Sequence, residues 1–317
     1  MSFSQKTKNE LSKLPIEDIC CSLAELSALV RMCGTIKIAG SEKINLKFST
    51  ENASIARRIF SILKKSYDVD IEVMVRRNRQ LKKNNNYLIA IGDRDISKKI
   101  LLDVGFIKEK ENNIFNPDYK IEKDIIEKRC CRRSYIRGSF LGGGSISNPE
   151  KTYHLEMVTN NKEHAENLSE IINSFNLNAK IVLRKDNYIV YLKEGEQIVD
   201  ILNIMGAHQA LLELEDVRVL KDVRNNINRI VNCETANLSK TISASLRQIN
   251  DIELIESRMG LIKLPKNLRE VASLRLDNPD ASLKEIGMML DSPVGKSGVN
   301  HRFRKIGEIA EELRGGR

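Results

Sequence analysis

The sequence predicts an α+β fold in which a duplicated domain of helices and strands is followed by an all-α domain. Two long stretches share the element order helix–strand–strand–helix–strand–strand–helix. Landmarks recur in them with the same spacing, because Cys21 and Gly34 in the first stretch match Cys131 and Gly144 in the second. After the second stretch, the apolar residues follow a helical period only. These observations predict two αββαββα repeats, related by a pseudo-twofold axis, ahead of a helical domain.

The repeats are delimited by turn residues. The first spans about residues 16–105 and the second about 129–206. A polar lead-in precedes the first repeat, and a polar connector separates the two. Strands are predicted where apolar and polar residues alternate, and helices where apolar residues recur every three or four positions.

The boundary between the domains is predicted where the composition turns polar, near Asn225–Asn228. This segment lies near the end of one predicted helix, Gln209–Ile230, and a second predicted helix follows at Thr235–Glu256. We therefore expect a duplicated domain at 1–226 and a helical domain at 227–317.

Charge and composition restrict the class of protein. The chain has 317 residues and a formal net charge of +9, which favours a polyanionic partner. The N-terminus lacks an apolar signal segment and no apolar run reaches membrane length, so we expect a cytoplasmic protein without a membrane partner. Six cysteines occur without a CxxC motif, and the sequence predicts buried thiols, no metal site and no cofactor.

The segment at about 281–314 predicts a helix-turn-helix. Ser282 and Glu285 have the spacing of a capping box, and Leu283, Ile286 and Leu290 give the short first helix one apolar face. A turn containing proline and glycine follows, and it is longer than the three or four residues usual in this motif.

The second helix of this pair is the candidate DNA-reading element. Its apolar residues recur every three or four positions from Val299 to Leu313, with Ser297 as the predicted N-cap. No acid occurs from Ser292 to Gly307, and the polar face carries side chains that pair with base edges and phosphates. An ordinary helical hairpin with a solvated basic face remains an alternative. The candidate DNA-binding residues are Ser282, Lys284, Lys296, Ser297, Gly298, Asn300, His301, Arg302, Arg304 and Lys305.

Two glycine-ended helices are predicted at equivalent places in the repeats, LAELSALVRMCG and RSYIRGSFLGGG. Small residues recur along both, which would let the two backbones approach closely. The Gly-Gly-Gly run lacks the Gly-Lys-Ser/Thr that completes a phosphate-binding loop.

These paired helices, in this order of elements, resemble the LAGLIDADG homing endonucleases. With the C-terminal SPVGKSGVNHRFRKI segment added, nearly the whole chain resembles the WhiA family. The resemblance implies a DNA-binding transcription regulator linked to cell division and chromosome segregation and, in sporulating bacteria, to sporulation. It also implies double-stranded DNA as partner and association with the nucleoid.

A departure from the nuclease pattern argues against an active endonuclease. Homing endonucleases of this class hold divalent cations with one carboxylate at the end of each junction helix. The matching positions here are Cys33 and Gly143, and neither residue offers a hard oxygen ligand.

One basic hairpin of the first repeat offers candidate accessory DNA contacts. A solvated hairpin rim and a protein-binding surface are the alternatives, and the helical domain resembles the promoter-reading region of sigma factors. RNA polymerase or a sigma factor is therefore a second candidate partner. The accessory residues are Arg76, Arg77, Arg79, Lys82 and Lys83.

Overall fold

A computed structural model describes residues 1–16, 18–39, 43–77, 85–108 and 117–315. The chain divides into two compact units, Met1–Lys221 and Asp222–Arg317. The division lies close to the predicted boundary between residues 226 and 227.

The first unit contains the predicted duplication. The helices and strands of the first repeat are α2 (Ile19–Cys33), β1 (Gly34–Ala39), β2 (Lys43–Thr50), α3 (Ala53–Tyr67), β3 (Ile71–Arg77), β4 (Asn85–Ile91) and α4 (Arg94–Asp103). Those of the second are α5 (Arg129–Gly143), β5 (Gly144–Ile146), β6 (Leu155–Thr159), α6 (Lys162–Asn173), β7 (Lys180–Arg184), β8 (Asn187–Leu192) and α7 (Gly195–Met205). The antiparallel sheets have the orders β1-β2-β4-β3 and β5-β6-β8-β7, so the two repeats share one topology. The α+β fold class is confirmed.

The lead-in to the first repeat is a helix, which the sequence analysis missed. This α1 spans Phe3–Leu11, and the Ser2 side chain accepts a hydrogen bond from the Gln5 amide at its start. Phe3, Thr7 and Leu11 are buried. Three buried side chains one turn apart hold an otherwise polar helix in place, because packing outweighs the weak local preference of a polar segment.

The helices α2 and α5 pack closely at the centre of the first unit. A Cβ at Gly138 would lie 2.5 Å from the Glu25 carbonyl oxygen and 2.9 Å from the Ala28 Cβ. The predicted role of the small residues is therefore confirmed at this crossing. Any larger side chain at Gly138 would push the two helices apart.

Beside this crossing, the buried carboxylate of Glu25 in α2 binds one arginine from α3 and one from α5 of the second repeat. The Glu25 carboxylate accepts hydrogen bonds from the Arg58 Nε at 2.7 Å and from Arg137 at 3.3 Å. Glu25 and Arg58 are almost fully buried. Desolvation lowers the pKa of Arg137, and the charge of Glu25 opposes that shift. The two cations compensate the buried carboxylate, which would otherwise be very costly to desolvate.

A single helix, α8, runs from His208 to Met259, so the prediction of two helices at Gln209–Ile230 and Thr235–Glu256 is wrong. The sequence contains neither proline nor glycine between Gly206 and Gly260. Asparagine lowers helix propensity only slightly, so the polar composition alone cannot end the helix.

The second unit also contains α9 (Lys266–Asp277), α10 (Leu283–Met289) and α11 (Lys296–Arg314). These helices enclose a separate apolar core with the last turns of α8. Its buried residues include Ile252, Ile255, Leu268, Ile286, Leu290, Phe303 and Ile306.

The Gly138→Ala substitution tests the α2–α5 crossing. Alanine would gain about 1 kcal/mol in helix propensity. The overlap with the Glu25 backbone should cost more than that gain, and we expect a net loss of roughly 1–3 kcal/mol. Urea unfolding followed by circular dichroism measures the change.

Gly92→Ala is the matched control, because a Cβ at Gly92 would meet nothing closer than 4.0 Å. It should unfold at the wild-type urea concentration or slightly above it. A Gly138→Ala protein as stable as the Gly92→Ala protein would show that the helices do not cross as closely as described.

Candidate nucleic-acid interface

The first helix of the helix-turn-helix, α10, begins with the predicted capping box. The Ser282 hydroxyl accepts a hydrogen bond from the Glu285 amide, and the Glu285 carboxylate accepts one from the Ser282 amide at 2.7 Å. These bonds lower the pKa of Glu285, because they favour its charged form. Ile286 and Leu290 are buried, as the apolar spacing predicted.

The turn between α10 and α11 folds back onto α10 through a glycine. The Val294 amide donates a hydrogen bond to the Gly287 carbonyl at 3.0 Å. A Cβ at Gly287 would lie 2.3 Å from the Val294 carbonyl oxygen. Gly287 is therefore the residue that allows this long turn to close, a role that the sequence analysis did not identify.

The second helix, α11, begins two residues earlier than predicted. Its N-cap is Gly295, which offers no capping side chain, so the assignment of Ser297 as N-cap is wrong. Ser297 lies in the first turn and is exposed. No acidic residue lies in this turn either, and its free amide groups form the positive end of the helix dipole.

One face of α11 packs into the core of the second unit. Val299, Phe303, Ile306 and Ala310 are buried, with exposures of 5% or less. The helix is thereby fixed about its own axis, and its exposed polar residues point away from that core.

The structure exposes most of the predicted contact residues together. On α11 these are Lys296, Ser297, Asn300, His301, Arg304 and Lys305, and on α10 it is Lys284. The other three candidates are half-buried. Ser282 serves the capping box, a Cβ at Gly298 would contact the Val294 side chain, and Arg302 donates to the Asn267 carbonyl at 3.4 Å.

A buried arginine that the sequence analysis overlooked supports this arrangement. Arg275 of α9 donates hydrogen bonds to the carbonyls of Pro279 and Ala281, and its Nε donates to the Gln248 side chain. Its guanidinium also lies 5.3 Å from the centre of the Phe303 ring. Burial lowers the pKa of Arg275. The residue ties the α9–α10 turn to α8 and to the buried face of α11.

The accessory hairpin is only partly within the described residues. Arg76 and Arg77 are exposed at the end of β3, whereas Arg79, Lys82 and Lys83 lie outside the described range. The same strand exposes apolar side chains, as does its counterpart β7. These are Val73, Met74 and Val75 on β3 and Ile181, Val182 and Leu183 on β7.

The positions that match the nuclease carboxylates hold no carboxylate and leave little room for one. Cys33 ends α2, its thiol donates to the Leu29 carbonyl, and burial raises its pKa to about 12. Gly143 ends α5, and a Cβ there would lie 2.8 Å from the Val158 carbonyl oxygen. An acid at Gly143 would therefore require the β6 backbone to move.

At the opposite ends of the same two helices, four thiols converge. The sulfur atoms of Cys20, Cys21, Cys130 and Cys131 all lie within 4.8 Å of one another. Cys131 is buried, Cys130 is exposed and the other two are half-buried, so among these four the prediction of buried thiols holds only for Cys131. Burial raises the pKa of Cys21 to about 11, while a hydrogen bond with Cys21 lowers the pKa of Cys130.

Among the described residues, no helix is long and apolar enough to span a membrane.

The Gly287→Ala substitution tests the geometry of the turn. The added methyl group overlaps the Val294 carbonyl, so α10 and α11 should separate at a cost of roughly 1–3 kcal/mol. Hydrogen-exchange mass spectrometry should show faster amide exchange throughout 283–314.

Gly295→Ala is the control, because a Cβ there meets nothing within 4 Å and its φ is −69°. Exchange in that variant should rise only in the first turn of α11. Equal exchange in both variants would contradict the proposed close approach at Gly287.

Comparisons with known proteins agree with this architecture. The WhiA N-terminal LAGLIDADG-like domain matches residues 19–107, the WhiA LAGLIDADG-like domain matches 132–224, and the WhiA C-terminal HTH domain matches 227–310. The second and third matches meet close to the boundary between the two units.

Relatives align over the full length. Proteins named "Probable cell division protein WhiA" are 58% identical in Alkaliphilus metalliredigens, over 99% of both chains, and 57% identical in Clostridium botulinum, over 100% of both. The crystal structure of full-length DUF199/WhiA from Thermotoga maritima has a TM-score of 0.61 and 28% identity, and the match covers 98% of this chain and 99% of that one. The chain with its duplicated domain and C-terminal helix-turn-helix belongs to the WhiA family.

Proposed function

We propose that this protein is a DNA-binding transcription regulator that reads promoter DNA with α11. One observation supports this most strongly. A helix fixed by a fully buried apolar face presents Asn300, His301, Arg304 and Lys305 together to solvent. These side chains supply the donors that read guanine and the amide that pairs with adenine in the major groove. A solvated hairpin would need neither the acid-free face nor the capped supporting helix.

The start of α11 suits a DNA phosphate. Its first-turn amides have no side-chain cap, and Lys296 and Ser297 are exposed beside them. A helix N-terminus with free amides favours an anion. Such a contact would set the register of α11 in the groove, while the residues further along the helix read the bases.

The relatives named as cell division proteins support a more specific role. We propose that the regulated genes serve cell division and chromosome segregation, and sporulation in bacteria that form spores. A regulator of this kind acts at the nucleoid in the cytoplasm.

The Arg304→Ala variant tests the proposed reading helix. We expect roughly 5- to 150-fold weaker binding to genomic fragments that the full-length protein occupies in cells, since one base-reading arginine contributes about 1–3 kcal/mol. Fluorescence anisotropy at several salt concentrations measures the affinity and its salt dependence.

Arg314→Ala is the matched control on the same helix. Arg314 is already paired with Asp251 at 2.6 Å and with Glu311 at 2.8 Å. Its loss removes the same charge from the far end of α11 and should leave the affinity close to wild type. Equal losses in the two variants would show only a general charge effect, and no loss with Arg304→Ala would refute the proposed interface.

The duplicated domain is proposed to be a scaffold that does not cleave DNA. The absence of carboxylates at Cys33 and Gly143, together with the crowding at Gly143, supports this view. Supercoiled plasmid incubated with the full-length protein and Mg²⁺ should remain supercoiled. Nicking that follows the protein through purification and disappears in a Gly138→Ala variant would overturn the proposal.

A second candidate function is control through a protein partner such as RNA polymerase or a sigma factor. The exposed apolar side chains of β3 and β7 favour it, because both strands present the same kind of surface in the two repeats. Polymerase that co-purifies equally with wild-type and Arg304→Ala protein would support this function. Co-purification that is lost together with DNA binding would favour DNA readout alone.

A further inference from the structure

We propose that Cys20, Cys21, Cys130 and Cys131 form a binding site for one tetrahedral, thiolate-seeking divalent cation of the Zn²⁺ class. The site lies in the first unit, away from the helix-turn-helix, and does not depend on the proposed function. It consists entirely of residues from the first turns of α2 and α5.

The distances between the sulfur atoms fit a single ion. Zinc bound by four thiolates has Zn–S distances of about 2.3 Å, which places the sulfurs of a tetrahedron about 3.8 Å apart. All four sulfurs here lie within 4.8 Å of one another. A shift of about 1 Å or less per sulfur would complete the tetrahedron. Rotation of the cysteine side chains can supply this shift without moving the backbone.

The duplication explains why a site forms without a CxxC motif. Each repeat contributes one adjacent pair of cysteines at the start of its junction helix. The close crossing at Gly138 fixes these two helices against each other. The pseudo-twofold relation then places the pair from one repeat opposite the pair from the other, so the four ligands come from segments far apart in the sequence.

Burial disfavours the thiolate of Cys21, and two helix N-termini partly offset this cost. Neither N-cap residue, Asp18 or Lys128, makes a side-chain capping hydrogen bond. All four cysteines lie in the first turns of these two helices, and helix N-termini stabilise thiolates. Arg133 lies close by and donates to the Ile204 carbonyl at 2.7 Å.

An access route for the ion is present. A cavity of about 230 Å³ in the first unit is lined by Cys21, Cys130, Arg133 and Ser134. Cys130 is itself exposed, so an ion could reach the sulfurs from solvent.

Two other arrangements of four cysteines fit less well. An iron–sulfur cluster places sulfide and more than one iron between its cysteines, which would hold the four sulfurs further apart than a single ion does. Disulfides require sulfurs about 2.05 Å apart, and the structure has all four thiols free.

Binding of the ion is not a redox step. Each Zn–S bond replaces an S–H bond, and the displaced proton passes to solvent or buffer. No electron is transferred and no co-reactant is required. The ion would join the first turns of α2 and α5 and thereby stabilise the contact between the two repeats.

The test uses the full-length protein, purified under reducing conditions and titrated with Zn²⁺ in competition with a coloured chelator. Bound zinc is quantified by mass spectrometry, and Co²⁺ is substituted to reveal the absorption of tetrahedral thiolate coordination. Cys130→Ser is the test variant, because an exposed residue can be replaced with little effect on folding. Cys233→Ser is the matched control, since it removes an exposed thiol outside the cluster.

We expect one zinc ion per chain in the wild type and in Cys233→Ser. Binding by Cys130→Ser should be at least about a hundredfold weaker, because even changes outside the ligand sphere cost on the order of 10- to 100-fold. Zinc should raise the Tm of the wild type and leave that of Cys130→Ser unchanged.

The proposal is overturned if the reduced wild type binds zinc no more tightly than Cys130→Ser does. It is also overturned if the purified protein contains iron with inorganic sulfide, or if reduction-resistant disulfides link these cysteines. Should Cys130→Ser fail to fold, Cys20→Ser replaces it, and the zinc content and cobalt spectrum of the wild type still decide the question.

Discussion

The close crossing of α2 and α5 is the constraint on which the first unit depends. Gly138 brings the α5 backbone against the Glu25 carbonyl, and the buried Glu25 carboxylate binds arginines from α3 and α5. The sheets follow directly, because β1 begins at Gly34 and β5 at Gly144, immediately after these helices. One contact between two helices thus fixes both repeats and determines which residues meet at each end of the pair.

The two ends of this helix pair have different chemistry. At the C-terminal ends, a thiol and a glycine occupy the places where the resemblance to homing endonucleases would place carboxylates, and the β6 backbone crowds the glycine. At the N-terminal ends, four soft sulfur ligands converge. Hard cations such as Mg²⁺ prefer oxygen, whereas thiolates select Zn²⁺ and similar ions. The absence of oxygen ligands at Cys33 and Gly143 therefore does not bear on the binding of a softer ion at the other end.

Sequence periodicity predicted the regular parts of the fold and the exposed face of α11. It missed α1, because only three buried side chains oppose a polar composition. It also predicted two helices in place of the single helix α8, although no proline or glycine interrupts α8. The cysteine cluster was predictable from the matching positions of the two Cys-Cys pairs, once the junction helices were placed side by side. Gly287 and Arg275 were not predictable, since their roles depend on a backbone approach and on carbonyl groups that only the folded chain brings together.

The proposed function requires that α11 is the element that contacts DNA and that the duplicated domain is its scaffold. Photo-cross-linking on the full-length protein tests this most directly, with a photoreactive amino acid at the exposed position of Ser297 in one protein and at that of Arg76 in another. We expect efficient cross-links to bound genomic DNA from position 297, and their loss when unlabelled DNA of the same sequence competes. Cross-links from position 76 with none from position 297 would contradict the proposed function.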